Sequence, residues 1–393
     1  MKSRVYILNH RRTPIGSIHG VLSSKTSVEL GIVATRALMT DIPEDLYTGI
    51  KEICYGQVIS SGQGQAPARQ IVYGAGLPLE VEASSINKVC ASGLKAISTG
   101  ALSLMYGSGG LVLCGGMESM SGIPYYLEGY RRGVGAGHQM VTDGLIQDGL
   151  WDSLNNFHMG NAAEITIREL GITREDQDEI ALRSFRLTRE AYRKGYIQKE
   201  ITGVVVNKED GCRTITEDEE ISKFKSAAVH GLKPSFEQEG TITAASASGL
   251  ADGACTVLLG EEVFVKRNGL APMAEIIDFA DAAQASEYFT TSPTLAIRKV
   301  LKNQKLEIGD IDVFEINESF ASVIVANSRL LKIDPELINI WGGALVLGHP
   351  LGMSGARIVG RLLSILIQKD LELGIAAICN GGGGATAMLI RRI

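Results

Sequence analysis

The stretch INKVCASGLKAISTGALSLM, residues 86–105, joins a β-type segment to a helix-type segment. After the cysteine, apolar residues recur at helical spacing, namely Leu94, Ile97, Ala101, Leu104 and Met105. Cys90 therefore lies at the predicted start of a helix, where the helix dipole stabilises a thiolate and lowers the pKa of a thiol. A structural cysteine gains nothing from this position, so the position favours a reactive thiol, although a buried core thiol stays the alternative until the other motifs are considered.

The same order of elements recurs near the C-terminus. In the first copy, Cys-Ala-Ser-Gly at 90–93 opens the helix, and the strand-like LVLC at 111–114 follows and ends in a glycine pair. In the second copy, Gly-Met-Ser-Gly at 352–355 opens a helix, and the strand-like IAAIC at 375–379 ends near a glycine run. The shared order and similar spacing predict a duplicated α/β unit with largely buried sheets.

The segment between the two copies has a different character. Residues 121–250 are rich in charge and contain Gly-rich turns, so we interpret them as an insertion folded over one end of the core that binds or covers substrate. The predicted N-terminal half is residues 1–120, completed by 251–272. The predicted C-terminal half is residues 273–393.

Composition excludes several classes of function. The formal charge of −6 and the pI near 5.7 exclude a nucleic-acid surface, which requires a basic patch. The chain has no apolar run of transmembrane length and no signal-peptide pattern at its N-terminus, so a cytoplasmic protein without membrane contact is expected. The six cysteines are scattered without a CxxC pair, which predicts free thiols rather than a metal site or a redox dithiol.

Four short motifs carry candidate chemistry: NKVCASG (87–93), NESFA (317–321), GHPLGMSGAR (348–357) and CNGGGGA (379–385). They contain Cys90, His349 and Cys379, which exchange protons near neutral pH once their pKa values are tuned, and Asn317, a fixed hydrogen-bond donor. The motifs occupy predicted strand ends and helix starts, where ligand sites gather in open α/β sheets. The glycine run of the last motif precedes a strand-like ATAMLI, so it is not interpreted as a nucleotide-phosphate loop.

In this order and over nearly the whole chain, the four motifs resemble the thiolase family, and most closely its biosynthetic, acetoacetyl-CoA-forming branch. Four further stretches match: RTPIGS (12–17), GQAPARQ (64–70), GGMESMS (115–121) and HMG (158–160). The resemblance implies a thiolase-like duplicated five-layered αβαβα fold with an inserted loop domain that binds CoA. It also implies a homo-oligomer, either a dimer or a tetramer.

The resemblance implies a role for each motif. Cys90 is expected to be the nucleophile that accepts the acyl group, and His349 to take its proton. Cys379 is expected to remove the α-proton of acetyl-CoA and to reprotonate the leaving thiolate. Asn317 is expected to hold a water that, with His349 Nε2, binds the enolate oxygen, while the backbone N–H groups of Cys90 and Gly381 form a second oxyanion hole.

The resemblance further implies CoA contacts from His158, Met159, Phe236, Ala244, Ala247, Ser248 and Phe320. Ser248 is expected to contact the pantetheine, because AASASGLADGA at 244–254 resembles the CoA-binding stretch of the family. Ser246 and Ala251 stand where the family usually has Asn, and Ser319 stands where it usually has Ala.

The implied activity is the reversible condensation of two acetyl-CoA molecules to acetoacetyl-CoA and CoA through an acetyl-cysteine, with no cofactor and no metal. A degradative 3-ketoacyl-CoA thiolase is the nearest alternative, although His158 and the pair Tyr288-Phe289 favour a short acyl chain. A ketoacyl-synthase-like enzyme is disfavoured because it would lack a second reactive cysteine such as Cys379. A catalytically silent CoA or lipid carrier is disfavoured because it would not require the four motifs together.

Overall fold

The computed structural model describes residues 3–107, 109–208 and 211–393. The strands are β1 (Val5–Arg12), β2 (Gly16–Ser17), β3 (Ile50–Gly56), β4 (Glu82–Ile86), β5 (Leu111–Ser119), β6 (Tyr125–Tyr126), β7 (Thr142–Asp143), β8 (Trp151–Asp152), β9 (Phe157–His158), β10 (Val204–Lys208), β11 (Gly211–Ile215), β12 (Ala251–Glu261), β13 (Ala274–Ala283), β14 (Val313–Ile316), β15 (Leu373–Asn380) and β16 (Gly384–Arg392). The helices are α1 (Ser27–Met39), α2 (Pro67–Ala75), α3 (Ser92–Met105), α4 (Met159–Leu170), α5 (Arg174–Arg193), α6 (Glu262–Arg267), α7 (Ser292–Gln304), α8 (Ala321–Leu331), α9 (Ala344–Leu347) and α10 (Leu351–Lys369).

The main sheet shows the predicted duplication in its strand order, β4-β3-β5-β12-β1-β13-β16-β15-β14, with β2 beside β12. Outward from the β1–β13 junction, the first half has the order β1, β12, β5, β3, and the second half has the order β13, β16, β15, β14. With the two-residue β2 set aside, both orders run from the first strand of the half in the main sheet to its last, its next-to-last and its second. In the first half, β4 extends the sheet beyond β3. The corresponding position in the second half is occupied by the segment at Ile338, which forms a parallel bridge with Phe314 of β14. The prediction of a duplicated α/β unit is therefore confirmed.

The layers of the fold follow from which helices contact each half of the sheet. Helices α3 and α10 contact each other and strands of both halves, so they form the middle layer. Helix α1 packs on β5 and β12 and contacts α2, and α7 packs on β13 and β16 and contacts α8. The resulting order is helix, half-sheet, helix, half-sheet, helix, which is the expected αβαβα arrangement. Strands β5 and β12 are buried along their whole length because both of their faces are covered.

The two middle helices approach so closely that only glycine fits at their contact. A Cβ atom on Gly93 would lie 2.7 Å from the carbonyl oxygen of Gly352 and 2.8 Å from the Ala356 nitrogen. A Cβ atom on Gly355 would overlap the backbone nitrogen of Leu94. The predicted Ser-Gly sequences at the two helix starts therefore have a packing role, because they bring the N-terminal ends of α3 and α10 together.

The segment between β5 and β12 leaves the main sheet and contains α4, α5 and three two-stranded sheets. Helix α5 packs on α8 and α9 of the C-terminal half. A buried ion network attaches this segment to the core: the Arg12 guanidinium donates to Asp218 and Glu200, and Arg361 on α10 donates to Glu200 at 2.7 Å. The predicted domain limits of 1–120, 121–250, 251–272 and 273–393 stay a prediction. Among the helices of the described residues, none has the length and apolar character that crossing a membrane demands.

We expect Gly355→Ala to destabilise the protein, because the added methyl group overlaps the Leu94 backbone and forces α3 and α10 apart. Overpacking of this kind costs about 1–3 kcal/mol. Thermal unfolding should show a Tm several degrees below that of the unsubstituted protein. Gly309→Ala is the matched control, because a Cβ atom there meets no heavy atom within 4 Å. Equal Tm values for the two variants would contradict the close contact.

Candidate active site

A cavity of about 230 Å³ lies where the middle helices begin and where β15 ends. Most of the predicted site residues line it, namely Cys90, His158, Met159, Phe236, Ala247, Ser248, Phe320, His349 and Gly381. Cys379 and Asn317 are buried next to this wall, and Ala244 is exposed outside it. The structure thus brings together residues from all four motifs and from the 121–250 segment, and the Ala244 contact with CoA stays a prediction.

Cys90 is held by a strained turn between β4 and α3. Val89 has a φ of 46°, a left-handed conformation that β-branched residues rarely adopt. The Ser92 hydroxyl fixes this turn by accepting from the Lys88 N–H at 2.8 Å and donating to the Val89 carbonyl at 2.6 Å. The backbone N–H groups of Cys90 and Gly381 lie near the Cys90 sulfur and favour its ionised form. These are the two donors that were predicted to form an oxyanion hole.

The prediction that the helix start lowers the pKa of Cys90 is wrong. Burial raises the pKa of the Cys90 thiol to about 12, and the neighbouring Cys379 adds to the rise. The two backbone N–H groups oppose this shift but do not overcome the cost of desolvating a thiolate. The resting Cys90 is therefore a thiol, and to act as the predicted nucleophile it must lose its proton to a base.

His349 has the protonation state that such a base requires. The Ser354 hydroxyl donates to the Pro350 carbonyl at 2.9 Å, so it accepts from the Nδ1–H group of His349 at 2.6 Å. The proton of the neutral ring is therefore on Nδ1, and Nε2 has a free lone pair and no hydrogen-bond partner among the described residues. Burial, assisted by the charge of Arg357, lowers the pKa of His349 to about 3. His349 is consequently neutral at physiological pH.

Asn317 follows β14 and is completely buried. Its Oδ1 atom accepts from the Arg357 guanidinium at 3.4 Å, and its backbone N–H donates to the Ala377 carbonyl at 3.0 Å. Within the described residues, its Nδ2 group has no hydrogen-bond partner. Arg357 thus orients the amide so that Nδ2 is available as a donor. The predicted binding of a water by Asn317 and His349 stays a prediction.

Cys379 lies at the end of β15, immediately before the glycine run. Burial raises the pKa of its thiol to about 11, and a hydrogen bond from Ser319 opposes that rise. The run itself forms the turn from β15 to β16, with left-handed φ angles of 80° at Gly382 and 79° at Gly383. The strand after the run agrees with the sequence interpretation, since it is β16 rather than the helix of a phosphate loop.

The opposite wall of the cavity is aromatic. The rings of His158 and Phe236 stack with centroids 4.9 Å apart, and Phe236 meets Phe320 edge-on at 5.9 Å. His158 also caps α4, because its Nδ1 atom accepts from the Gly160 N–H at 3.0 Å. Gly160 must be glycine, since a Cβ atom there would overlap the Phe236 ring. Burial lowers the pKa of His158, so this wall is uncharged.

Two departures from the family pattern are absorbed by local packing. The Ser246 hydroxyl accepts from the Thr243 N–H at 2.8 Å, and the Ala251 N–H donates to the Met120 sulfur at 3.3 Å. Residues 247–250, which lie between Ser246 and Ala251, line the cavity. The Ser248 N–H and hydroxyl both donate to the Ser319 carbonyl at 3.0 Å.

The sequence interpretation missed several residues at the site. Met120, Leu150, Phe289 and Leu351 contribute side chains to the cavity wall. Glu118 is buried behind it and accepts from the N–H groups of Val58, Ile59 and Gly352, which fixes the first turn of α10. Met120 and Glu118 lie within GGMESMS, so that stretch was the signal that could have identified both. Tyr288 does not line the cavity; its hydroxyl donates to Glu169 instead.

Comparisons with known proteins give the family. The model of the Thiolase, N-terminal domain matches residues 5–263, and that of the Thiolase, C-terminal domain matches residues 270–392. The chain belongs to the thiolase family.

Relatives of this thiolase are similar over their full length. It is 44% identical to the acetyl-CoA acetyltransferase of Saccharomyces cerevisiae, with 100% of both chains covered. It is 42% identical to a cytosolic acetyl-CoA acetyltransferase of Gibberella zeae, covering 99% of this chain and 98% of the relative. The crystal structure of the Acat5 thiolase of Ascaris suum in complex with coenzyme A is 38% identical and superposes with a TM-score of 0.93, covering 99% and 100% of the two chains.

We expect Ser354→Ala to lower kcat by about tenfold to a hundredfold with little change in KM, because the His349 ring loses the contact that keeps its proton on Nδ1. Steady-state kinetics with acetoacetyl-CoA and CoA measure both constants. Ser98→Ala is the matched control, since that buried hydroxyl on α3 donates to the Lys95 carbonyl away from the cavity. Equal kcat values for both variants would show that Ser354 does not position the base.

Proposed function

We propose that this thiolase is an acetyl-CoA C-acetyltransferase, which condenses two acetyl-CoA molecules to acetoacetyl-CoA and CoA and also runs the reverse thiolysis. One observation carries the proposal: the Cys90 thiol, the free lone pair of His349 and two backbone N–H groups converge on one largely apolar cavity. The names of its relatives in Saccharomyces cerevisiae and Gibberella zeae support the same activity.

The first half-reaction transfers the acetyl group to Cys90. The thiol proton passes to His349 Nε2 while the sulfur attacks the thioester carbon, and the CoA sulfur departs with a proton from Cys379. A thioester forms as a thioester breaks, so the two sides are nearly equal in energy, and the covalent intermediate divides the condensation into two easier steps. The N–H groups of Cys90 and Gly381 would then hold the carbonyl oxygen of acetyl-Cys90.

The second half-reaction forms the carbon–carbon bond. Cys379, as a thiolate, removes a methyl proton from the second acetyl-CoA, and the resulting carbanion attacks the carbonyl carbon of acetyl-Cys90. The bond from that carbon to the Cys90 sulfur then breaks, the sulfur takes the proton back from His349 Nε2, and acetoacetyl-CoA is released. Negative charge develops on the thioester oxygen of the nucleophile, where the protonated Nε2 of His349 and a water on Asn317 Nδ2 would receive it. One such preorganised donor contributes about 3–4 kcal/mol to the transition state.

The proposed reaction needs no cofactor and no metal, because His349 and Cys379 move every proton and the CoA thioesters are themselves the substrates. The stacked wall of His158, Phe236 and Phe320 would take the pantetheine arm beside Ser248, with Met159 at the thioester end. A neutral wall suits this uncharged arm, since burying an unpaired charge there would be costly.

We also propose a cytosolic homo-oligomer. The cytosolic name of the Gibberella zeae relative supports the compartment. Exposed apolar side chains between β5 and β7, including Tyr125, Tyr130 and Met140, offer a surface that a second subunit could cover. Light scattering on the purified protein would give a dimer or a tetramer, and a monomer would contradict the proposal.

Intact-mass spectrometry after brief exposure to acetyl-CoA tests the nucleophile. The unsubstituted chain and Cys379→Ala should each gain one acetyl group, and Cys90→Ala should gain none, because the covalent bond forms at the Cys90 sulfur. If Cys90→Ala is still acetylated, another residue is the nucleophile. If no chain is acetylated although CoA binds, the protein is a carrier rather than an enzyme.

A chain-length series separates this proposal from a degradative 3-ketoacyl-CoA thiolase. Because the cavity is small and Met120, Leu150 and Phe289 line it, we expect kcat/KM for thiolysis to be highest with acetoacetyl-CoA and to fall at least about tenfold for long-chain 3-ketoacyl-CoA. Comparable values across the series would favour the degradative enzyme.

A further inference from the structure

Ser319 is placed where it touches both the cavity and a reacting sulfur. It lines the cavity wall, and its hydroxyl oxygen lies 3.3 Å from the Cys379 sulfur. Its backbone is fixed on both sides: the Ser319 carbonyl accepts from Ser248, and the next residue, Phe320, bridges to Ala247. These contacts hold the Ser319 backbone beside Cys379, within reach of a hydrogen bond from its hydroxyl.

The charge state of Cys379 decides which partner donates in this hydrogen bond. While Cys379 is a thiol, either the S–H or the O–H group can donate. Once it is a thiolate, only the Ser319 O–H can donate, and a hydrogen bond to a charged acceptor is about twice as strong as one between neutral groups. The contact thus stabilises the thiolate more than the thiol.

We propose that Ser319 is a further catalytic residue: its hydroxyl donates to the Cys379 thiolate and thereby sets how readily this base forms. The proposal rests on the proposed function, in which Cys379 removes the methyl proton. In that step the carbon–hydrogen bond of acetyl-CoA breaks, a sulfur–hydrogen bond forms on Cys379, and the electron pair remains on the substrate as its enolate. The Ser319 proton stays on its own oxygen throughout.

The direction of the effect follows from the two opposing influences on Cys379. Burial raises the pKa of Cys379 to about 11, and the Ser319 hydrogen bond lowers it, so loss of the hydroxyl raises the pKa further. The elements that pack against β15 carry other titratable or charged groups: Arg357 and Arg361 on α10 with His349 before it, Glu315 on β14, Lys299 on α7 and Glu287 before α7. Cys90 lies near Cys379, and Lys88 reaches the Ala385 carbonyl on β16. All of them remain in a Ser319 variant, so a change in proton transfer reports the hydroxyl.

The test is the rate at which the methyl hydrogens of acetyl-CoA exchange with D₂O, followed by proton NMR across a pH series. For Ser319→Ala we expect the pH at which the exchange rate rises to increase by about one pH unit. The exchange rate near pH 8 should therefore fall by about tenfold. Acetylation of Cys90, followed by intact mass, should persist. Ser319→Thr keeps a hydroxyl, so its exchange rate should have the same pH dependence as that of the unsubstituted chain.

Ser322→Ala is the matched control, since it removes a buried hydroxyl on α8 that has no hydrogen-bond partner among the described residues. Its exchange profile should equal that of the unsubstituted chain. An unchanged profile in Ser319→Ala, or equal displacement in Ser319→Ala and Ser319→Thr, would overturn the proposal while leaving the proposed function standing. Absence of exchange in the unsubstituted chain would instead overturn the proposed function, and the role of Ser319 with it.

Discussion

The close contact of α3 and α10 is the constraint on which the rest of the structure depends. Because Gly93 and Gly355 have no side chain, the two helices meet backbone to backbone, and their N-terminal ends lie at one place between the half-sheets. Cys90 precedes one helix and His349 precedes the other, so the contact that closes the core also brings together the proposed nucleophile and its proposed base. Glu118 extends this coupling, since it binds the first turn of α10 from the end of β5.

Burial then determines how the site handles protons. Both cysteines have raised pKa values and His349 has a lowered one, so the resting groups at the cavity are neutral. Charge therefore arises only as the reaction proceeds, next to donors already in position. Ser354 keeps the His349 proton on Nδ1, and Arg357 orients the amide of Asn317. In the proposed reaction, these contacts position the groups that exchange protons.

The sequence predicted the fold and most of the cavity, because the motifs mark strand ends and helix starts and the duplication brings those points together. It failed where the outcome depends on contacts between distant segments. The pKa of Cys90 was predicted to fall because its helix position is visible locally, whereas the burial that outweighs it is not. The pair Tyr288-Phe289 was predicted to favour a short acyl chain, but only Phe289 lines the cavity, and Tyr288 turns towards Glu169. Ser319 was visible only as a departure from the family pattern until the structure placed it against Cys379.

The most direct test of the account is a crystal structure of the protein trapped with acetyl-CoA. If the two helix starts and the glycine turn form one reaction centre, the acetyl group should be bonded to the Cys90 sulfur, with its carbonyl oxygen between the N–H groups of Cys90 and Gly381. The pantetheine should lie along His158 and Phe236. An acetyl group on another residue, or a carbonyl oxygen turned away from both N–H groups, would contradict the account.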